Sequence, residues 1–253
     1  MKLDRRNQII DMVTQNRTVK NAELMEKFDI SIETVRRDLD YLEQQGYLRR
    51  VYGGAVANAS LNSEPEYASR AKVLYKEKAA IAAEAAKLID NDDSIYMGVG
   101  TTVQAMSQYL KGKGNLTVFT NAIRTAVEVS ELPGCTVILP GGQLRPKELT
   151  LSGHPAEENF FHFNVDKAFI GIGGITESGV TDFHLGEAHL HRQLIQNARQ
   201  SIVLADSGKL GLRAVVNVCG VEKVDMVITD DKASRQIVRA LEQAGVRVII
   251  AKT

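Results

Sequence analysis

The sequence predicts an α/β protein built in two parts: an N-terminal winged helix-turn-helix followed by a larger, mainly parallel α/β domain. Three observations carry that expectation. Residues 19–42 hold two short helical patterns with room only for a tight turn between them. A basic stretch ending in Gly53-Gly54 follows directly. From Ser94 onward, short apolar runs alternate with helical stretches, the pattern of parallel strands joined by crossover helices.

Residues 4–15 form a first helix with Ile9, Ile10 and Val13 turned inward. The run from Val19 to Phe28 places Leu24, Met25 and Phe28 on one helical face. After Asp29-Ile30, Ser31 is a good N-cap, and Val35, Leu39 and Leu42 fall at i, i+4 and i+7 of a second, amphipathic helix. The helix-turn-helix spans about residues 20–39. Gly46 ends the second helix, and Tyr47–Ala55 reads as a strand pair turning at Gly53-Gly54, a basic wing.

Each part has a chemical task on this reading. Ser31 and Thr34 lie at the N-terminal end of the second helix, where hydroxyls reach phosphates or base edges. Arg36 and Arg37 point about 100° apart, so one serves a base edge or phosphate and the other the flanking backbone. Arg49 and Arg50 alternate along the wing, so one faces DNA; Arg50, Tyr52 and Gly53 are the wing residues assigned there. A helical interaction or dimerisation module would also explain an arginine pair on a solvated face. It does not explain helix, turn, capped helix and basic glycine wing occurring together.

The chain has 253 residues and zero formal net charge, so no global field draws it to nucleic acid. Residues 1–55 carry ten Lys/Arg against nine Asp/Glu. DNA affinity therefore has to come from placement, with Asp29, Glu33, Asp38 and Asp40 kept off the contact face. No run approaches the ~18 apolar residues of a membrane span, and the N-terminus lacks an apolar signal core. Cys135 and Cys219 each sit in an apolar run and read as buried free thiols in a reducing compartment, so the expected location is cytoplasmic.

The DNA-binding domain is expected over residues 1–57, a linker over 58–74 and the second domain over 75–253. A helix from Tyr75 to Ile89 begins that domain. Strands are expected at Ser94–Met97, Leu116–Phe119, Thr136–Leu139, Lys167–Ile172, Ser201–Ala205, Met226–Ile228 and Val246–Ile250. Helices are expected near Thr102–Leu110, Ile123–Ser130, Gly186–Ala198 and Lys232–Ala244.

The informative residues of this domain follow its strands, on the sheet edge where such folds bind ligands. Gly98-Val99-Gly100-Thr101-Thr102 outlines a phosphate cradle of permissive glycines, backbone amides and hydroxyls. Alone it is a weak signal, since it lacks both a third fingerprint glycine and the lysine of a P-loop. Thr120-Asn121, Gly141-Gly142 with Arg145, Gly173-Gly174 and Asp206-Ser207-Gly208-Lys209 end the next four strands. Small residues there leave a cleft, and the polar ones suit a polyhydroxylated, phosphorylated ligand. Glu187 and His191 are one helical turn apart in a His184/Glu187/His189/His191 group. A metal could use that spacing, but no thiol or third well-placed ligand accompanies it. Glu187 is read as a ligand contact, with the histidines exposed or making local hydrogen bonds.

Residues 3–56 resemble the winged helix-turn-helix of the DeoR/GlpR family of sugar-responsive repressors. The resemblance rests on Arg5-Arg6, Ser31-Ile32-Glu33-Thr34-Val35-Arg36-Arg37-Asp38-Leu39 and Arg50-Val51-Tyr52-Gly53-Gly54-Ala55. It continues through Lys76-Glu77-Lys78, Gly100-Thr101-Thr102, Thr120-Asn121, Gly141-Gly142, Glu187 and Asp206-Ser207-Gly208-Lys209. The chain departs from the family pattern at Gly208, at Leu210 and across His184–Glu187. The family's sensor is similar in fold to ribose-5-phosphate isomerase.

The resemblance therefore implies a regulator, most readily a repressor of a carbohydrate-utilisation operon, relieved by a phosphorylated sugar. The strand-end reading and the resemblance together give as effector contacts Gly100, Thr101, Thr102, Thr120, Asn121, Gly141, Gly142, Arg145, Gly173, Glu187, Asp206 and Lys209. The implied partners are double-stranded operator DNA, a sugar phosphate and further copies in a homodimer or homotetramer, with no cofactor, no metal and no catalytic residue. The rival reading is a sugar-phosphate isomerase-like enzyme with an accessory helix-turn-helix, using Glu187, Asp206 and Lys209. Against it, residues 171–175 carry no carboxylate where the related isomerases have an acidic pair.

Overall fold

The computed structural model describes residues 2–16, 18–44, 48–57 and 64–253. The chain divides into two compact units, residues 1–73 and 74–253. Expectations placed on Gly46, Tyr47 and residues 58–63 of the linker lie outside the described residues.

The first unit runs α1 (Lys2–Asn16), β1 (Thr18–Lys20), α2 (Asn21–Phe28), α3 (Ile32–Gln44), β2 (Leu48–Val51), β3 (Gly54–Ala57) and α4 (Tyr67–Lys72). Ile9, Val13, Leu24, Val35, Leu39 and Leu42 bury one face of each of the first three helices against one another. Two differences from the expected elements have a common cause. Thr18–Lys20 is a strand paired antiparallel with β3, so α2 begins at Asn21 rather than Val19. Gly54 belongs to β3 and the wing turns at Tyr52-Gly53 instead. A Cβ at Gly54 would stand 2.0 Å from the Val19 carbonyl oxygen, so glycine is what lets β1 pair there. Between α2 and α3 the chain reverses at Asp29, which takes a left-handed conformation (φ 48°) that aspartate tolerates.

The second unit runs α5 (Tyr75–Lys87), β4 (Ser94–Met97), α6 (Thr101–Gln104), β5 (Leu116–Phe119), α7 (Ile123–Ser130), β6 (Cys135–Ile138), β7 (Gln143–Arg145) and β8 (Thr150–Ser152). It continues α8 (His154–Phe161), β9 (Lys167–Gly171), β10 (Gly174–Thr176), β11 (Gly179–Asp182), α9 (Leu185–Asn197) and β12 (Gln200–Leu204). It ends with β13 (Val216–Cys219), β14 (Met226–Asp230), α10 (Arg235–Gln243) and β15 (Arg247–Ala251). Seven strands form one parallel sheet in the order β15-β14-β12-β9-β4-β5-β6. Along β4, Ile95 and Met97 enter one apolar core with Ile81, Val103 and Val129, while Tyr96 enters the other with Phe160, Leu190 and Leu241. Burial on both faces is what makes these strands read as continuous apolar runs.

Chain order reverses between β4 and β9, the position where an open parallel sheet leaves a crevice at its carboxyl edge. The hairpin β7–β8 and the antiparallel sheet β10-β11-β13 are additions to the expected strands. The helix expected over Thr102–Leu110 is α-helical only from Thr101 to Gln104 and then tightens to a 3-10 helix over Ala105–Tyr109. That shortens the aligned dipoles behind the Gly98–Thr102 turn.

Candidate DNA-binding face and sensor crevice

On α3 the sequence separates a buried stripe from a polar face. Ser31 accepts the Thr34 amide at 3.4 Å and its hydroxyl lies 3.1 Å from that of Thr34, closing the helix N-terminus. Arg36 and Arg37 are exposed and make no ion pair among the described residues. Asp38, on the opposite face, is buried and takes Arg5 Nε and Arg6 Nε at 2.7 Å each, pinning α1 to α3. Arg6 also lies 3.6 Å over the Tyr41 ring. The family's Arg5-Arg6 and Asp38 are thus one clamp.

Arg50 is placed differently from the expectation. Its guanidinium pairs with Asp40 on α3, and its amide donates to Glu43 Oε1 at 2.7 Å. It shares the inward side of β2 with buried Leu48, whereas Arg49 points the other way and is exposed. Tyr52 is fully exposed at the wing tip beside Gly53, whose φ of +83° suits glycine. Arg49 is therefore the wing arginine with no ion pair among the described residues, and Arg50 ties the wing to α3.

In the second unit, Asn121, Arg145 and Glu187 come together at the carboxyl edge of the sheet. Tyr96 Oη donates to Asn121 Oδ1 at 2.7 Å, and Asn121 Nδ2 donates to the Leu151 carbonyl at 3.0 Å. Glu187 is buried, accepts Thr150 Oγ1 at 2.8 Å and pairs with Arg145. The β7–β8 hairpin supplies Arg145, Thr150 and Leu151, so it lies across these groups. Burial, then the Glu187 and Asp182 charges, push the Tyr96 hydroxyl well above its ordinary value, so it stays a donor.

Other expected contacts serve the backbone. A Cβ at Gly171 would stand 2.1 Å from the Val99 carbonyl oxygen, so β9 presses on the Gly98–Thr102 turn. Gly100 has a φ of +125° and faces Gly171. Gly173 is filled against Ala214 and Asp182, and Gly142 against Ser152, so neither opens a cleft; Gly141 is open. Thr120 is buried with its hydroxyl accepting the Ala122 amide, and Thr102 is buried while Thr101 is partly open. Asp206 is buried, accepts the Gly208 amide at 3.0 Å and lies 3.8 Å from Lys78 Nζ. Lys209 Nζ stands 5.9 Å over the Phe183 ring.

His191 corrects the expectation of exposed or locally bonded histidines. It is fully buried with Nδ1 3.2 Å from Asp182 Oδ2, while His189 is half-exposed near Glu157. The buried positions of α9 include Glu187, Ala188, His191, Leu194 and Ile195, so the inward stripe passes through both polar residues. That periodicity was the signal in the sequence. Among the described residues, no group of three or more His, Cys, Asp or Glu side chains is placed to hold a metal ion. No helix among the described residues is long and apolar enough to cross a membrane. A polar cavity of about 270 Å³ opens on the β10-β11-β13 sheet beside Thr176, Ser178, Thr181, Arg213 and Asn217, and none of the crevice residues lines it.

A capped helix with two exposed arginines, and a separate α/β unit whose parallel sheet reverses chain order between β4 and β9, define a helix-turn-helix regulator with a sensor domain. Residues 5–61 match the DeoR-like helix-turn-helix domain and residues 74–231 the DeoR C-terminal sensor domain; the chain belongs to the DeoR family of transcriptional regulators. It is 34% identical to the HTH-type transcriptional regulator GolR of Listeria innocua over 98% of both chains. It is 32% identical to the HTH-type transcriptional repressor GlcR of Bacillus subtilis, over 96% of this chain and 94% of that one. With the glycerol-3-phosphate regulon repressor of Escherichia coli it shares 33% identity over 89% and 90%. Among solved structures it is similar to a D-ribose-5-phosphate isomerase in complex with phospho-erythronic acid, at TM-score 0.39 and 17% identity over 54% of each chain.

Proposed function

We propose that the protein is a cytoplasmic repressor of a carbohydrate-utilisation operon, released from its operator by a phosphorylated sugar. The observation that carries this reading is the outer face of α3, where Arg36 and Arg37 are exposed while Asp38 is withdrawn into the clamp with Arg5 and Arg6. With Asp38 withdrawn and Asp40 paired to Arg50, two arginines stand against Glu33 alone on that face, so local placement offsets the balanced overall charge. Ser31, Thr34, Arg36 and Arg37 serve the major groove, and Arg49, Tyr52 and Gly53 the flanking backbone. The protein acts as a homodimer or homotetramer, which presents two recognition helices to a two-fold operator.

The effector occupies the crevice at the β4/β9 switch point. Its phosphate is served by the Gly98–Thr102 turn, Arg145 and Lys209, and its hydroxyls by Asn121 and Glu187. The repressor names of several relatives support the sign of the response. The site binds without turnover, since Asp206 is committed to Lys78 and Gly208 and residues 171–175 offer no base. Selection of DNA fragments by the full-length protein, followed by mobility-shift assays with three- to six-carbon sugar phosphates, tests both halves. The expected result is a shared inverted repeat, released by one phosphorylated sugar and not by its parent. Failure to enrich any sequence would sink the DNA reading; isomerisation of ribose 5-phosphate, lost in Glu187→Gln, would sink the non-enzymatic one.

A further inference from the structure

Buried polar side chains in folded proteins find hydrogen-bond partners, and those that do not call for an explanation. Among the described residues, four such atoms without a partner belong to three side chains of one short stretch: Asp182 Oδ2, His184 Nδ1, and both ring nitrogens of His191. His191 Nδ1 approaches Asp182 Oδ2 to 3.2 Å, yet the two are not aligned for a hydrogen bond. Asp182 Oδ1 is already held by the Phe183 amide at 2.8 Å, so Oδ2 is the acceptor left over.

The location gives these atoms a purpose. Gly98 is the first residue beyond β4 at the switch point, and a Cβ there would stand 3.4 Å from His191 Nε2 and 3.2 Å from the Tyr96 ring. Nε2 therefore faces the same turn as the proposed effector crevice. The surroundings also select a chemistry. Asp182 and Glu187 are both buried and both bear on Tyr96, so an anion is repelled here. Neutral groups that donate and accept are accommodated, and adjacent hydroxyls do both.

We propose that His191 and Asp182 form a hydroxyl-recognition subsite that sets which sugar chain the sensor accepts. One hydroxyl donates to Asp182 Oδ2 and its neighbour bonds His191 Nε2 beside Gly98, while the phosphate is held at the Thr101-Thr102 end of the turn. The subsite rests on the effector reading above and names the part of the ligand that this reading leaves open. Glu187, one turn before His191 on α9, is held by Arg145 and Thr150 of the β7–β8 hairpin.

The test uses the full chain, ¹⁵N-labelled, with a panel of three- to six-carbon sugar phosphates, their deoxy counterparts and inorganic phosphate. Thermal unfolding first finds the panel member that raises Tm most; imidazole ¹⁵N spectra then follow His191. The expected result is a displaced Nε2 resonance on adding that sugar phosphate and none on adding inorganic phosphate. His191→Phe, which keeps a ring without nitrogens, should weaken the sugar phosphate about 10- to 100-fold, the effect of stranding one buried hydrogen bond. Inorganic phosphate binding should stay unchanged, and His191→Gln should restore part of the loss. A sugar phosphate that stabilises the wild type while leaving Nε2 unmoved and His191→Phe unaffected overturns the subsite alone. No stabilisation by any panel member overturns the effector reading and the subsite with it.

Discussion

In the N-terminal unit Arg36, Arg37 and Arg49 stand in solvent, and the buried Asp38 is paid back at once by two guanidinium groups. In the sensor unit Asn121, Asp182, Glu187 and His191 are all buried, and Asp182 Oδ2 and both ring nitrogens of His191 make no hydrogen bond. The first arrangement pairs its buried acid and leaves its arginines outside, suited to a large, highly charged polymer. The second leaves hydrogen-bonding capacity inside, where a low dielectric makes each donor and acceptor discriminating. Position relative to solvent, more than residue type, separates a surface that binds a polyanion from a crevice that selects a small molecule.

The most damaging challenge to this contrast is Asp38→Ala. Two arginines would lose a buried partner, and the N-terminal unit should lose about 3 kcal/mol, at the lower end for a broken buried pair because both guanidinium groups keep some access to water. Differential scanning calorimetry should show an early transition shifted down, with the sensor transition in place. If the two transitions move together, the clamp is not local to the first unit. A somewhat smaller loss, about 2 kcal/mol, is expected in the sensor transition of Glu187→Gln, which weakens the bonds to Arg145 and Thr150. If operator affinity falls as well, the two units are not separable in the way described.

Arg37→Ala should leave unfolding within about 0.5 kcal/mol of wild type. In fluorescence anisotropy it should lower the slope of log K against log salt by about 0.9, one phosphate contact. Arg49→Ala should behave likewise. Arg50→Ala should instead weaken binding with little change of slope, and the opposite ranking would return the phosphate contact to Arg50.

The smallest effect concerns pH. Burial, then the Arg145 charge, hold His184 below its ordinary value, so the unfolded chain takes up its proton first as pH falls. Sensor stability should be full above about pH 6.5 and decline below it, and His184→Gln should flatten that decline in thermal melts at pH 5.5 and 7.5.

Much of this arrangement was legible in the sequence, because long periodic segments announce themselves. The spacing of Val35, Leu39 and Leu42 located α3, and each of the seven expected strands lies in the parallel sheet within two residues at either end. The additions were short or ambiguous. In the stretch Gly141-Gly142-Gln143-Leu144-Arg145-Pro146, proline and glycine hide the three-residue β7, which pairs with the equally short β8 to bring Arg145 and Thr150 to Glu187. Gly173 and Asp206 sat at the expected edge, but close packing and Lys78 had already claimed them. The pairing of Arg50 could not be read from alternation alone, because it depends on Asp40, ten residues away on another element.

The reversal of strand order between β4 and β9 also has a consequence in time. Tyr96 of β4 pairs in register with Ala168 of β9, and the sheet then waits for β12, β14 and β15, the last ending at Ala251. The N-terminal unit, by contrast, closes its contacts within residues 1–73. A ribosome adding about 5–20 residues per second finishes that unit many seconds before the sensor's central pairs exist, and such long-range pairings are slow to close. Every new copy therefore completes its helix-turn-helix unit before its sensor sheet can close.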